Sequence, residues 1–200
     1  MRRKITYTFV IYKTFLSFLL KMNEKSYLCC LLNRLIMATI SEIRNRLSAL
    51  LEQMQLRKLS AYIIPSTDPH SGEYVPEHWE SRKWISGFTG SAGTAVITSE
   101  DAGLWTDSRY FIQALDQLEG TGVELHKTRV PGAVGIPEWL SSNAKVVAVD
   151  GLCQSVSAVE DIESALGEGG AVVDVPDLLQ GLWEDRPQIP VSPVMTLDVE

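Results

Sequence analysis

The sequence is poor in the two residue types whose side chains most often bind transition metals. It has three cysteines and three histidines among 200 residues. Cys29 and Cys30 are adjacent near the amino terminus, so Cys153 stands alone in the rest of the chain. No C-x-x-C pair is present, which excludes a thiolate zinc site, and the isolated Cys153 favours a reducing compartment. We therefore expect a cytoplasmic protein.

Motifs for nucleotide binding and for serine hydrolysis are also missing. There is no G-x-G-x-x-G, no G-x-x-x-x-G-K-[ST] and no G-x-S-x-G. The segment WISGFTGSAGT (84–94) instead has glycines three residues apart, at Gly87, Gly90 and Gly93. It leads into the alternating pattern of a strand, so no helix N-terminus lies behind it to bind phosphate. These glycines are predicted to supply positive-φ turns or close backbone packing.

Basic residues are scarce outside the amino-terminal segment. Residues 1–36 carry seven Lys or Arg and one Glu, whereas residues 37–200 carry 11 basic and 24 acidic side chains. The overall net charge is −7. An acidic body of this kind argues against a nucleic-acid partner, because nucleic-acid binding depends on Lys and Arg side chains that neutralise phosphates.

Residues 1–36 differ from the rest of the chain and are predicted to lie outside its domain. The apolar run Ile5–Leu20 is interrupted by Lys13, and no small-residue cleavage site follows it. It is too short and too interrupted to cross a bilayer, so no membrane partner is expected. Three interpretations stay open: an over-extended start upstream of Met37, a signal or anchor, and a genuine extension. We favour the first, and otherwise expect a disordered leader.

From Met37 onward the pattern predicts an α/β domain. Thr39 and Glu42 form a capping box at the start of an amphipathic helix. After the strand SAYIIPS, residues 66–83 are predicted to be a long surface loop, and GTAVITSEDAGLWTD a β-hairpin. The fold class expected is therefore a mixed β-sheet that contains a hairpin and is flanked by helices. The remaining predicted elements are the helix SRYFIQALDQL capped by Asp107, the strands VELHKT, KVVAVD and AVVDVP, and the helices GIPEWLSSN, SVSAVEDIESALG and DLLQGLWED.

The end of the chain has the composition of a linker. RPQIPVSPVMTLDVE (186–200) has three prolines within its first eight residues. We therefore predict a leader over residues 1–36, one domain over 37–185, and a linker with the start of a second domain over 186–200.

Arg109, in the segment WTDSRYF (105–111), is the main candidate for ligand binding. The pattern predicts this residue at the first turn of a helix directly after a strand, where α/β folds present binding groups. A guanidinium there could hold a carboxylate or a peptide carbonyl through two N–H donors. The alternative is a structural arginine that pairs with a nearby aspartate or carbonyl. His70 and His78 share the loop 66–83 with several acids, but their spacing matches no zinc pattern, so we expect no metal site.

Three segments in order resemble one protein family. They are AYIIPSTDPHSGEY (61–74), SGFTGSAGTAVIT (86–98) and LWTDSRYF (104–111). Together they resemble the amino-terminal, creatinase/prolidase-type domain of the cytosolic three-domain Xaa-Pro aminopeptidases (aminopeptidase P). DLLQGLWEDRPQIPVSPVMTL is similar to the passage from the first to the second domain of that family. The resemblance covers roughly residues 40–200 and leaves out the leader.

The resemblance implies a hydrolase that removes the first residue of a peptide when proline is second. In that family two divalent metals, usually manganese, are held by Asp, His and Glu side chains on a carboxy-terminal domain. This chain is therefore expected to hold no metal ligand and no catalytic residue, and to be inactive alone. Its expected role is to shape the access of Xaa-Pro peptides and to take part in homodimer contacts.

By the same resemblance, Arg109 is expected to bind substrate, with His70 and Tyr74 as further candidates in the cleft. Ser108 stands where the family commonly has glycine, which predicts backbone strain if this position requires positive φ. A stand-alone peptide-binding or dimerisation module without peptidase activity stays open as an alternative. So does a different reaction, because creatinase and prolidase relatives have a similar first domain.

Overall fold

The computed structural model describes residues 24–193 and 195. The chain divides into two units, Met1–Ser41 and Glu42–Glu200. In the first unit the described residues, 24–41, are helical, and the second contains the sheet. The first helix, α1, spans Glu24–Leu56. The helix therefore does not begin at Thr39, and the predicted capping-box start is wrong. No glycine or proline within these bounds interrupts the helix.

Six strands form one sheet, and they are β1 (Ala61–Ile64), β2 (Thr94–Thr98), β3 (Ala102–Thr106), β4 (Val123–Lys127), β5 (Val146–Val149) and β6 (Ala171–Asp174). Their order across the sheet is β4-β3-β2-β1-β5-β6. β2 pairs antiparallel with both β1 and β3, and the other three pairings are parallel. The predicted mixed sheet with a hairpin is confirmed.

Helices cover both faces of this sheet. After α1, the helices are α2 (Ser81–Ser86), which is short and precedes the hairpin, α3 (Phe111–Leu118), α4 (Ile136–Asn143) and α5 (Val156–Leu166). Leu50 of α1 and Ala114 of α3 belong to the apolar cluster on one face. Leu140 of α4 and Ile162 of α5 belong to the cluster on the other face. The predicted flanking helices are therefore confirmed.

The composition of β1 follows from its place in the middle of the sheet. Tyr62 and Ile64 face the first cluster, and Ala61 and Ile63 face the second. All four residues are buried. A strand that is covered on both faces needs a continuous apolar sequence, which AYII provides.

Two sequence predictions fail in the connecting segments. The loop predicted over 66–83 ends early, because a 3-10 turn forms at Glu77–Trp79 and α2 follows it. The helix predicted for DLLQGLWED does not form, and residues 177–185 are a run of turns. Leu178, Leu179 and Trp183 in this run are buried, so their apolar spacing reflects anchoring of the turns and not a helix face.

Strand direction brings several connections to one edge of the sheet. Every strand except β2 runs in the same direction. The carboxyl ends of β1 and β3 therefore lie at the same edge as the amino end of β2. That edge receives residues 65–76, the turn 107–110 and the glycine-rich segment 87–93. In open α/β sheets the carboxyl edge is where ligands bind.

His126 is half-buried in β4 and packs against two tryptophan rings. Its ring stacks on the Trp105 indole, with centroids 3.9 Å apart and planes 7° apart. Trp139 closes the group edge-on, 5.2 Å from Trp105. Partial burial lowers the pKa of the His126 imidazole, and the carboxylates of Glu124 and Asp101 oppose this shift.

The lowered pKa of His126 predicts a loss of stability in mild acid. Between the pKa of His126 in the folded protein and its ordinary value of about 6.5, the unfolded chain binds more protons, so stability falls as the pH falls through this window. We expect His126→Phe to reduce this dependence, because phenylalanine preserves a ring against Trp105 and cannot titrate. The free energy of unfolding in urea, measured between about pH 7.5 and about pH 5.5, tests this. Identical pH slopes for the two proteins would contradict it.

Candidate functional site

Arg109 lies in a turn that joins β3 to α3. The turn is closed by the Tyr110 backbone N–H, which donates to the Asp107 carbonyl at 3.0 Å. The Asp107 side chain accepts the backbone N–H of Arg109 at 3.1 Å, as aspartate does in Asx turns. The helix begins only at Phe111, with Tyr110 at its N-cap position. Arg109 is therefore not in the helix, and Asp107 does not cap it, which corrects both predictions.

The Arg109 guanidinium forms a two-point ion pair with Asp107. Nε donates to Oδ1 at 2.9 Å, and Nη2 donates to Oδ2 at 2.7 Å. The Arg109 side chain remains 65% exposed, whereas that of Asp107 is 16% exposed. The side-chain and backbone hydrogen bonds from Arg109 lower the pKa of the Asp107 carboxyl to about 2. The same pairing raises the pKa of the Arg109 guanidinium.

Tyr110 links this pair to the glycine-rich segment. The Arg109 Cζ atom lies 5.1 Å from the centroid of the Tyr110 ring. The Tyr110 hydroxyl and Ser91 Oγ are 2.6 Å apart. The ring also meets Phe88 edge-on, with centroids 5.9 Å apart. Arg109 is thus paired with a carboxylate and lies over an aromatic ring.

The glycines of residues 87–93 serve the turns and close packing that the sequence predicts. Gly87 ends α2 in the left-handed region, at φ 75°. A Cβ atom at Gly90 would collide with the Phe88 ring and would lie 2.8 Å from Cδ1 of Tyr110. At Gly93 it would lie 3.1 Å from the Trp105 carbonyl oxygen. No helix N-terminus follows this segment, because β2 does.

Arg82 holds the glycine-rich segment from below, and sequence reasoning missed it. Its guanidinium donates to the carbonyls of Phe88 and Gly90 and, through Nε, to Ser66 Oγ at 2.8 Å. The residue is only 6% exposed, and this burial lowers the pKa of the guanidinium to about 10. The available signal was the glycine stop at Gly87, which marks the end of a short helix that contains Arg82.

A cleft of about 230 Å³ lies beside this segment. Tyr74, which is 87% exposed, lines it together with Ser91 and Arg82. His70 does not line the cleft; it is exposed, and its backbone N–H donates to Asp68 Oδ1 at 2.9 Å. The structure therefore brings Tyr74, but not His70, to the cleft. The other lining residues are Pro65, Ser66, Glu73, Val75, Trp79, Glu80, Lys83, Thr89 and Gly90.

Three further features bear on the predicted chemistry. Among residues 39–193 and 195, whose side chains the structure describes, no group of three His, Cys, Asp or Glu side chains is arranged to hold a metal ion. No helix that the structure describes has the length and apolarity that a membrane span requires. Ser108 is not among the described non-glycine residues with positive φ, so the strain considered for this position is not present.

The Creatinase/Prolidase N-terminal domain family model matches residues 46–182. The chain belongs to this family. The match contains every strand of the sheet, the glycine-rich segment and the Asp107–Arg109 pair.

Relatives of this family member are Xaa-Pro aminopeptidases. The chain is 41% identical over 165 residues to Xaa-Pro aminopeptidase 2 of Homo sapiens. This alignment covers 80% of the chain and 24% of the human protein. It is 38% identical over 170 residues to Xaa-Pro aminopeptidase ApepP of Drosophila melanogaster, and this alignment covers 80% of the chain and 27% of the fly protein. The chain thus spans about a quarter of the length of these curated relatives.

A solved structure agrees in fold. An X-prolyl aminopeptidase from Caenorhabditis elegans, described as a cytosolic enzyme with a di-nuclear active site, superimposes with a TM-score of 0.68 at 30% identity. The superposition covers 82% of this chain and 28% of that enzyme. A Creatinase/Prolidase-like N-terminal domain from Corynebacterium diphtheriae, with a TM-score of 0.50 and 24% identity, shares the fold over 66% of this chain and 95% of that one.

The Asp107–Arg109 ion pair predicts an unusually acidic carboxyl. We expect the Asp107 carboxyl to titrate with a pKa of about 2, because Arg109 stabilises its ionised form. In Arg109→Ala this pKa should rise towards the ordinary value of about 3.9. Carbonyl ¹³C chemical shifts of the carboxyl, followed against pH, measure both values. A wild-type pKa near 4 would show that the pair does not form in solution.

Arg82 is expected to contribute far more to stability than its exposed neighbour. Arg82→Met leaves the Phe88 and Gly90 carbonyls without their buried donor and should lower the free energy of unfolding by about 2–4 kcal/mol. Lys83→Met, at an exposed position of the same helix, is the matched control and should change it by at most about 0.5 kcal/mol. Urea unfolding of both variants makes the comparison. Equal effects would contradict the role assigned to Arg82.

Proposed function

We propose that this chain is the non-catalytic amino-terminal domain of a metal-dependent Xaa-Pro aminopeptidase, which releases the N-terminal residue that precedes proline. The observation that carries the proposal is the 41% identity to human Xaa-Pro aminopeptidase 2 over 80% of this chain. In this proposal hydrolysis takes place on a separate catalytic domain. Two divalent metals, which we expect to be manganese, supply the Lewis acid and the activated water there.

Arg109 is the residue of this chain proposed to contact substrate. Its guanidinium is exposed while its orientation is set by Asp107 and Tyr110. An oriented cation of this kind loses little side-chain entropy when it donates to a peptide carbonyl or carboxylate. Tyr74, which lines the cleft, and His70, which lies in the same segment 65–76 after β1, are proposed as further contacts with substrate. The chain shapes substrate access through this edge of the sheet.

The proposed domain extends over residues 37–185, with the leader 1–36 outside it and a linker over 186–200. The first two residues of this linker, Arg186 and Pro187, are hydrogen-bonded to the domain. Arg186 Nε donates to the His78 carbonyl at 2.8 Å, and the Arg186 guanidinium pairs with Asp177. The Pro187 carbonyl lies 2.6 Å from His78 Nδ1. These bonds attach the last turns to the domain at the point where the proline-rich segment begins.

The proposed enzyme is cytoplasmic and a homodimer. The cytoplasmic assignment is supported by the Caenorhabditis elegans relative, which is described as cytosolic. Sedimentation equilibrium on the enzyme that contains this domain tests the dimer, and a purely monomeric enzyme would contradict it.

Activity is expected only when the domain is joined to its catalytic region. The 200-residue chain with Mn²⁺ should release no amino acid from Xaa-Pro-Yaa peptides, whereas a longer polypeptide that contains both domains should do so. Hydrolysis by the chain alone would overturn the proposal. If the chain alone binds these peptides and no catalytic region is encoded with it, the peptide-binding or dimerisation module is the correct description.

Replacement of Arg109 tests its proposed contact with substrate. In the enzyme that contains this domain, Arg109→Ala should lower kcat/KM for Xaa-Pro peptides roughly tenfold to hundredfold, because a charge-assisted hydrogen bond is lost. Arg109→Lys keeps the charge but not the two-point geometry and should be intermediate. Unchanged steady-state kinetics in Arg109→Ala would contradict the assignment.

A further inference from the structure

We propose that Asp107 determines which chemical group of a ligand binds to Arg109: the ion pair binds a neutral peptide carbonyl and disfavours a free carboxylate. Asp107 is then a specificity-determining residue, although it does not itself touch the substrate. The inference rests on the proposed function, because it takes Arg109 as the substrate contact.

The donor geometry leaves one side of the guanidinium available. Asp107 occupies the side formed by Nε and Nη2, at 2.9 and 2.7 Å. The Tyr110 ring lies against the guanidinium, 5.1 Å from Cζ. In the described part of the chain, no acceptor is hydrogen-bonded to Nη1 of Arg109. A ligand therefore meets Arg109 from the Nη1 side, where N–H donors remain.

Charge then distinguishes between two possible acceptors. A ligand carboxylate on the Nη1 side would share a single guanidinium with the Asp107 carboxylate, and the two like charges would repel each other. A peptide carbonyl on the same donors meets no such repulsion. Asp107 is ionised at neutral pH, as an ordinary aspartate would be, and its pairing with Arg109 lowers the pKa of its carboxyl further. The Arg109 side chain is 65% exposed, so solvent reduces this discrimination to a modest factor.

The neighbouring cation Arg129 does not account for the expected discrimination between carboxylate and carbonyl. Arg129, which is exposed, also lowers the pKa of Asp107, but its contribution is the smallest of those that act on this carboxyl. It attracts a ligand carboxylate whether residue 107 carries a carboxylate or a neutral amide. A comparison of the wild-type enzyme with the Asp107→Asn variant, in which Arg129 is unchanged, therefore isolates the charge of Asp107.

The test uses the enzyme that contains this domain and a set of substrates matched in length. Ala-Pro, Ala-Pro-Ala and Ala-Pro-Ala-Ala are each assayed as the free acid and as the C-terminal amide, so that the carboxylate occupies successive positions. The measured quantity is the ratio of kcat/KM for acid over amide. Asp107→Asn should raise this ratio about twofold to fivefold at one length, the size of an exposed charge interaction, and salt should diminish the change. That length identifies the carbonyl that Arg109 contacts.

Two control variants separate charge from structure. Asp107→Glu keeps the carboxylate and should keep the wild-type ratio. Asp116→Asn removes an exposed carboxylate from α3 and should leave the ratio unchanged at every length. Thermal unfolding of each variant shows whether the fold is intact.

The possible results distinguish this inference from the proposed function. If Arg109→Ala leaves the kinetics of all six substrates unchanged, the substrate contact itself is wrong. If Arg109→Ala slows hydrolysis but Asp107→Asn alters the acid-to-amide ratio at no length, the contact stands and the role of Asp107 is overturned. If Asp116→Asn raises the ratio as much as Asp107→Asn does, the effect is one of net charge, and the inference is overturned as well.

Discussion

The arrangement of the candidate site depends on one buried cation. Arg82 lies beneath the glycine-rich segment and donates to two of its carbonyls and to Ser66, which follows β1. A buried guanidinium is costly unless its donors are satisfied, so this side chain is stable only when the segment folds around it. The segment in turn has few conformations that present two carbonyls to one guanidinium. Each therefore restricts the other, and the mouth of the cleft gains a defined shape without regular secondary structure.

The buried Arg82 is connected to the exposed Arg109 through a series of aromatic ring contacts. The Arg82 guanidinium lies 4.9 Å from the Phe88 ring centroid, Phe88 meets Tyr110 edge-on, and Tyr110 lies against Arg109. Gly90 allows this succession, because any side chain there would occupy the space between Phe88 and Tyr110. Thus a residue that is 65% exposed owes its orientation to packing that begins at a residue that is 6% exposed. Such pre-organisation is what a binding group on a surface turn requires.

The strands and helices with periodic hydrophobic sequences could be predicted. Segments whose conformation depends on contacts with residues distant in sequence could not. The hairpin and the alternation of strands and helices after it have clear patterns, and both are confirmed. In contrast, DLLQGLWED has helical spacing but is held as turns by the burial of Leu179 and Trp183. The resemblance points to Arg109 as a candidate for substrate binding, whereas the sequence pattern assigns its ion-pair partner Asp107 to a helix cap that the structure does not show. Arg82 was hidden because a lone arginine in a polar segment has the sequence signature of a solvated side chain, and only the fold brings its acceptors together.

The strand order also has a consequence for the order in which the chain folds. β2 and β3 are neighbours in sequence, so their hairpin closes a short loop. β1 instead pairs with β5, with Ala61 opposite Val147, and the preceding Ser60 donates to the Val146 carbonyl 86 residues away. During synthesis the apolar β1 emerges long before this partner, and one of its edges stays unpaired until β5 arrives. Contacts of high sequence separation slow folding and expose strand edges to other chains. β1 is therefore covered at its second edge only after residues 146–149 have been synthesised.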